Sequence, residues 1–203
     1  MEKKAWRVNF EDGIFDIYFG IIIISFVPHL IFIEILPIPI NFLLGPIIIG
    51  FALAFFILCK KYLIKPRIGT VKYGRKRKIR KMKTAIILSI NVLALLILFL
   101  LRTSDFWDDL NIPNSVEILI IQLMFVTLPL CLVAYILQYN RLYIIAVLMG
   151  SSFFFAELIS NFITPPVNIL FIFLINGSLI ILMGVISLIK FLRKYQKEEA
   201  DDL

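Results

Sequence analysis

Three ionisable residues fall inside long apolar runs or just within their ends: His29, Glu34 and Glu157. A charge at the middle of a bilayer-spanning helix costs about 2.5–3.5 kcal/mol on insertion scales, so each is a functional candidate. Threaded through six spans, all three lie in the outer half. His29 and Glu157 are about 10 Å from the boundary at helical rise. Arg102 and Gln122 fall at or near the same level. Together these five side chains, on spans one, three, four and five, compose a candidate polar pocket that opens outward and binds or passes a small polar or ionic ligand. The competing use is structural, with Glu157 neutral or paired to Arg102 and His29 donating to a carbonyl. Glu34 is near enough to the surface to be solvated. Asn91, Asn176 and Ser178 are mid-span polar residues suited to interhelical hydrogen bonds.

Enzyme signatures fare poorly. Gly69-Thr-Val-Lys-Tyr-Gly74-Arg75-Lys76 has the glycine spacing of a phosphate loop but lacks its Gly-Lys-Ser/Thr ending and a preceding parallel strand. Gly150-Ser151-Ser152-Phe153 with His29 is a faint match to intramembrane serine proteases, without the glycine after the nucleophile. Asp12-Gly13 and Asp16 match the start of the lipid-forming alcohol phosphotransferase motif, without its Ala-Arg and later aspartates. One histidine assembles no zinc-hydrolase site. Cys59 and Cys131 lie in or at the edge of apolar runs and behave as small apolar residues. A non-enzymatic role without catalytic residues, metal or cofactor is the expectation.

These residues are carried by a chain of 203 residues, 61% hydrophobic and only 17% charged. A soluble domain is about half apolar and a quarter charged. The apolar residues also cluster in runs of the roughly 20 residues that a 30 Å hydrocarbon core requires. The predicted spans are about 14–36, 41–59, 84–101, 118–137, 142–160 and 168–189. Pro28 should kink the first span, and Pro129 falls inside the fourth. The first run ends in Ile-Leu-Pro-Ile-Pro-Ile, without the small residues of a cleavage site, so it is expected to remain as a span. Trp6, Phe10 and Ile14 recur at spacing four, which suggests a surface helix before the first span. Asn9 and Asp12 are each candidates to start a helix as N-cap. The fold class expected is all-α: a polytopic membrane protein, one integral domain of six transmembrane helices with an N-terminal interfacial helix.

The segment 60–83 holds 12 of the 21 Lys and Arg residues and no Asp or Glu. Placing it in the cytoplasm puts both termini there and leaves Arg102 alone outside, as the positive-inside rule asks of a cell-membrane protein. Trp6, Tyr18, Tyr62, Trp107, Tyr139, Tyr143 and Tyr195 then fall near interfaces, as aromatic belts do. Most of the net charge of +7 is explained by this topology. Pro66 should stop the second helix, and 66–74 reads as an ordered loop or small hairpin. Arg67, Lys72, Arg75, Lys76, Arg77, Lys78, Arg80, Lys81 and Lys83 are the candidate contacts to anionic lipid or a partner, at about 1 kcal/mol per cation near a charged surface. Nucleic acid is not expected, because only Tyr62 and Tyr73 could stack bases. A homo-oligomer is compatible with the composition.

The pairing of Asp12-Gly13-Ile-Phe-Asp16-Ile-Tyr-Phe-Gly20 with Pro66-Arg67-Ile-Gly69-Thr-Val71-Lys72 resembles a group of uncharacterised prokaryotic multi-pass membrane proteins. Those proteins share an Asp-Gly interfacial helix and a Pro-Arg-x-Gly-x-Val-Lys cytoplasmic loop. The resemblance covers roughly residues 6–75 and implies no activity. The function expected from the residues is a small transporter or ligand sensor with an outward-facing polar pocket. The alternative is a scaffold protein whose basic loop docks to anionic lipid or a partner.

Overall fold

The computed structural model describes residues 10–32, 35–68, 75–102 and 114–195. The described residues form helices and turns, with no strand among them. Six helical stretches are long and apolar enough to cross a membrane: Ile14–Ile31, Leu43–Arg67, Ile79–Leu98, Val116–Leu137, Arg141–Ile159 and Val167–Lys194. The chain divides into two compact units, residues 1–72 with 173–203, and residues 73–172.

The first stretch is two helices, α1 (Ile14–Ile24) and α2 (Phe26–Ile31), rather than one bent helix. Pro28 cannot tolerate the carbonyl four residues back, which is that of Ile24, and the break falls there. Ser25 fills the gap, its hydroxyl donating to the Ile22 carbonyl at 2.6 Å. Helix α3 (Ile38–Cys59) begins three residues before the expected Asn41. Pro37 precedes it and Pro39 lies in its first turn, where a missing N–H costs nothing.

Pro66 does not end the second span as expected. The helix passes through a wide π turn, Lys60–Ile64, and continues as the short helix α4 (Lys65–Ile68). The fourth span repeats the device. Helix α6 (Asn114–Gln122) runs through a π turn, Leu123–Thr127, into α7 (Leu128–Leu137). Each π turn ends two residues before a proline, Pro66 or Pro129. An α-helical proline collides with the carbonyl four residues back, and the wider turn relieves that collision. It also leaves a carbonyl to satisfy. The Phe125 oxygen, which Pro129 cannot serve, accepts instead from Asn91 Nδ2 at 3.0 Å.

In the first unit, α1 lies against α9 (Val167–Lys194) through glycines on both helices. A Cβ on Gly20 would meet Ile181 Cγ1 at 2.5 Å, and one on Gly177 would meet Ile24 Cγ1 at 2.5 Å. Close approach of backbones through small residues is the usual packing of membrane helices. Beyond them, Ile14, Cys59, Ile64 and Phe191 form a buried cluster flanked by Phe56, Leu188, Leu192 and Tyr195.

In the second unit, α5 (Arg75–Arg102) packs on α7, while α6 and α7 pack on α8 (Arg141–Ile159). Gly150 of α8 leaves the notch that takes the Thr127 side chain. Within the Ile79–Leu98 stretch of α5, no described side chain is buried. That pattern suits a helix solvated by lipid rather than by water.

Candidate functional sites

Asp12 is fully buried at the start of α1, in the turn that carries the chain into the helix. Its Oδ1 accepts the Ile14 N–H at 3.1 Å and so satisfies one of the orphan donors of the helix start. Gly13 between them has φ 75°, a left-handed conformation that glycine adopts without penalty. The turn thereby points the second carboxylate oxygen, Oδ2, at Lys60 Nζ, with which it forms a salt bridge. Lys60 opens the π turn, and its side chain is only 17% exposed. The rings of Phe15 and Phe56, 4.8 Å apart and edge to face, lie 5.1 and 5.9 Å from Nζ. Aromatic faces attract a desolvated ammonium, so the cage complements the carboxylate. Asp16 is also fully buried, in the first turn of α1, where a helix N-terminus favours negative charge.

Three residues beyond the Lys60–Ile64 turn, Arg67 reaches the end of α9. Its Nη1 donates to the carbonyls of Leu192 at 3.2 Å and Tyr195 at 2.9 Å. The last carbonyls of a helix have no partner within it, and a guanidinium is well shaped to serve two of them. Of the candidate lipid contacts, Arg67 is therefore committed to the protein through this nitrogen. Lys81 and Lys83 are exposed and Arg80 is half-buried. Lys72 lies outside the described residues, as do the side chains of Arg75, Lys76, Arg77 and Lys78.

At the opposite end of α3, Asn41 is buried at 3% exposure. Its Nδ2 donates to the His29 carbonyl at 3.2 Å, and His29 Nδ1 stands 3.5 Å from the Asn41 carbonyl oxygen. The pair fastens α2 to the first turn of α3. Asn41 Oδ1 is buried with no hydrogen-bond donor to meet it. Turning the amide over would face two oxygens at the His29 carbonyl, so the bond to His29 fixes which atom is left.

His29 belongs to the first unit, whereas Gln122 and Glu157 belong to the second. Gln122 is buried on α6, and its Oε1 accepts the Phe154 N–H of α8 at 3.3 Å. Glu157 is half-buried on α8. Arg102 ends α5, with its side chain outside the described residues, and Glu34 lies outside them altogether. Ser152 is buried, and its hydroxyl donates to the Leu148 carbonyl at 2.6 Å, a bond within its own helix. Among the described residues, no three of His, Cys, Asp and Glu gather to hold a metal ion.

Sequence reasoning took Asp12 as a cap and Lys60 as one more topology charge, and so missed their pairing. A signal was present: Lys60 is the one cation that abuts the second apolar run, and Asp12 and Asp16 flank the first turn of the first span. Each had a plausible local use, which hid the shared one. Comparison of the chain with protein-family models, curated proteins and solved structures found no match.

Proposed function

We propose that the protein is a non-enzymatic, multi-pass membrane protein, a small transporter or ligand sensor, with its basic end in the cytoplasm and a ligand site at the His29–Asn41 junction of the opposite end. The orientation rests on the asymmetry of Lys and Arg along the sequence. The ligand reading is supported above all by Asn41 Oδ1, a buried acceptor with no donor. Leaving such a group unpaired costs about 1–3 kcal/mol, which a ligand carrying an N–H or O–H would recover. The fixed amide selects that ligand chemistry: Oδ1 only accepts, and Asn41 Nδ2 is already engaged.

The test is a thermal-stability screen of the protein in lipid nanodiscs against small donors: ammonium, short alkylamines, neutral amino acids and polyols. The expected result is a compound that raises the Tm of the native protein by a few degrees and leaves Asn41→Leu unmoved. A panel without effect, or an equal shift in Asn41→Leu, counts against the ligand site. Substrate counterflow in proteoliposomes then separates transporter from sensor.

A further inference from the structure

The basic end of the first unit carries five exposed cations on two helical ends: Lys61 and Lys65 after α3, and Lys190, Arg193 and Lys194 on α9. Arg67 ties these two ends together through the Leu192 and Tyr195 carbonyls. Leu192 and Tyr195, whose carbonyls Arg67 reaches, pack against the cluster of Ile14, Cys59, Ile64 and Phe191. Lys60 is withdrawn from the set by its bond to Asp12. From this arrangement we infer that the collar around Arg67 is a binding surface for the phosphate headgroups of anionic phospholipids.

Position selects a lipid over a soluble partner. Both helical ends complete apolar stretches long enough to cross a membrane, so the cations fall where hydrocarbon gives way to headgroups. Tyr62 is 65% exposed with the Lys61 ammonium 5.2 Å from its ring, and Tyr195 holds the Lys194 ammonium at the same distance. Tyrosines of this amphipathic kind mark the membrane–water boundary. Among the described residues, the acid facing the collar is Glu11, 3.8 Å from Lys194, with both side chains largely exposed. One solvated carboxylate leaves most of the five positive charges for phosphates. The Arg67 bridge also anchors the two basic helical ends to each other, which distinguishes them from a basic tail.

The test is native mass spectrometry of the detergent-purified protein titrated with phosphatidylglycerol. Phosphatidylcholine, inorganic phosphate and poly-glutamate are separate arms. Two triple variants are compared: Lys65→Gln/Lys190→Gln/Arg193→Gln in the collar, and Arg80→Gln/Lys81→Gln/Lys83→Gln on α5. The expected outcome is retention of phosphatidylglycerol by the native protein and the α5 variant. The collar variant should bind it more weakly, on the order of 100-fold for three cations. Should the collar variant fail to fold, the native protein decides alone: phosphatidylglycerol occupancy should fall as salt rises from about 0.1 to 1 M, while phosphatidylcholine occupancy stays level. Equal loss in both variants, an unchanged collar variant, salt-independent occupancy, equal uptake of phosphatidylcholine, or preference for free phosphate or poly-glutamate would each overturn the inference. None of these outcomes depends on Asn41.

Discussion

Gly13 and Gly184 meet backbone to backbone. A Cβ on Gly13 would overlap the Gly184 carbonyl oxygen, and one on Gly184 would come within 2.9 Å of the Gly13 carbonyl oxygen and 2.7 Å of Ile17 Cγ1. The turn that aims Asp12 is thus in close backbone contact with α9.

Gly184→Ala should therefore destabilise the protein by about 1–3 kcal/mol, the usual cost of overpacking. Gly50 is the control, because nothing lies within 4 Å of a Cβ placed there. Gly50→Ala should leave stability unchanged or raise it by up to about 1 kcal/mol, through helix propensity alone. Thermal unfolding in one detergent checks both.

The Asp12–Lys60 bond gives a second prediction. Asp12→Asn should cost about 3–5 kcal/mol, because it leaves a largely buried ammonium without its carboxylate. Asp12→Asn with Lys60→Met should recover most of that loss. A double-mutant cycle by chemical denaturation measures the coupling, and additive effects would show that the bond contributes nothing.

Gly150 and Thr127 supply the equivalent test in the second unit. A Cβ on Gly150 would overlap Thr127 Oγ1 and come within 3.1 Å of Thr127 Cβ. Gly150→Ala should destabilise by about 1–3 kcal/mol. Adding Thr127→Gly should relieve much of the penalty, so the two substitutions will be strongly non-additive in thermal unfolding.

Arg67→Ala should release the end of α9. Hydrogen exchange should quicken at residues 190–195 while the amides around Gly177 keep their protection. Arg67→Lys should restore this only in part, since the shorter stem moves the donor nitrogen away from the position from which Nη1 serves both carbonyls. Equal exchange in all three proteins would contradict the bridge.

Apolar run length made the six spanning stretches legible, because a bilayer imposes a length that composition must meet. The internal geometry was less so. Pro66 read as a stop, since sequence shows the missing N–H but not the wide turn that makes room for the ring. Asp12 read as a cap, which its Oδ1 is, while the partner of its Oδ2 lies 48 residues away. Asn41 drew no notice because it opens a helix, where asparagine is ordinary. Its orphan acceptor arises only from the way His29 fixes the amide.

The two π turns have a mechanical consequence. Each stores one residue more than an α turn, so tightening it would rotate the helix beyond by about 100° and advance it by about 1.5 Å. For the turn at Lys60, that motion would carry Arg67 off the carbonyls it bridges. For the turn at Leu123, it would lift Thr127 out of the Gly150 notch. Pro66 and Pro129 oppose the motion, because an α turn would drive each ring into the carbonyl four residues back. They act as pawls, holding each helix at one tooth of a ratchet.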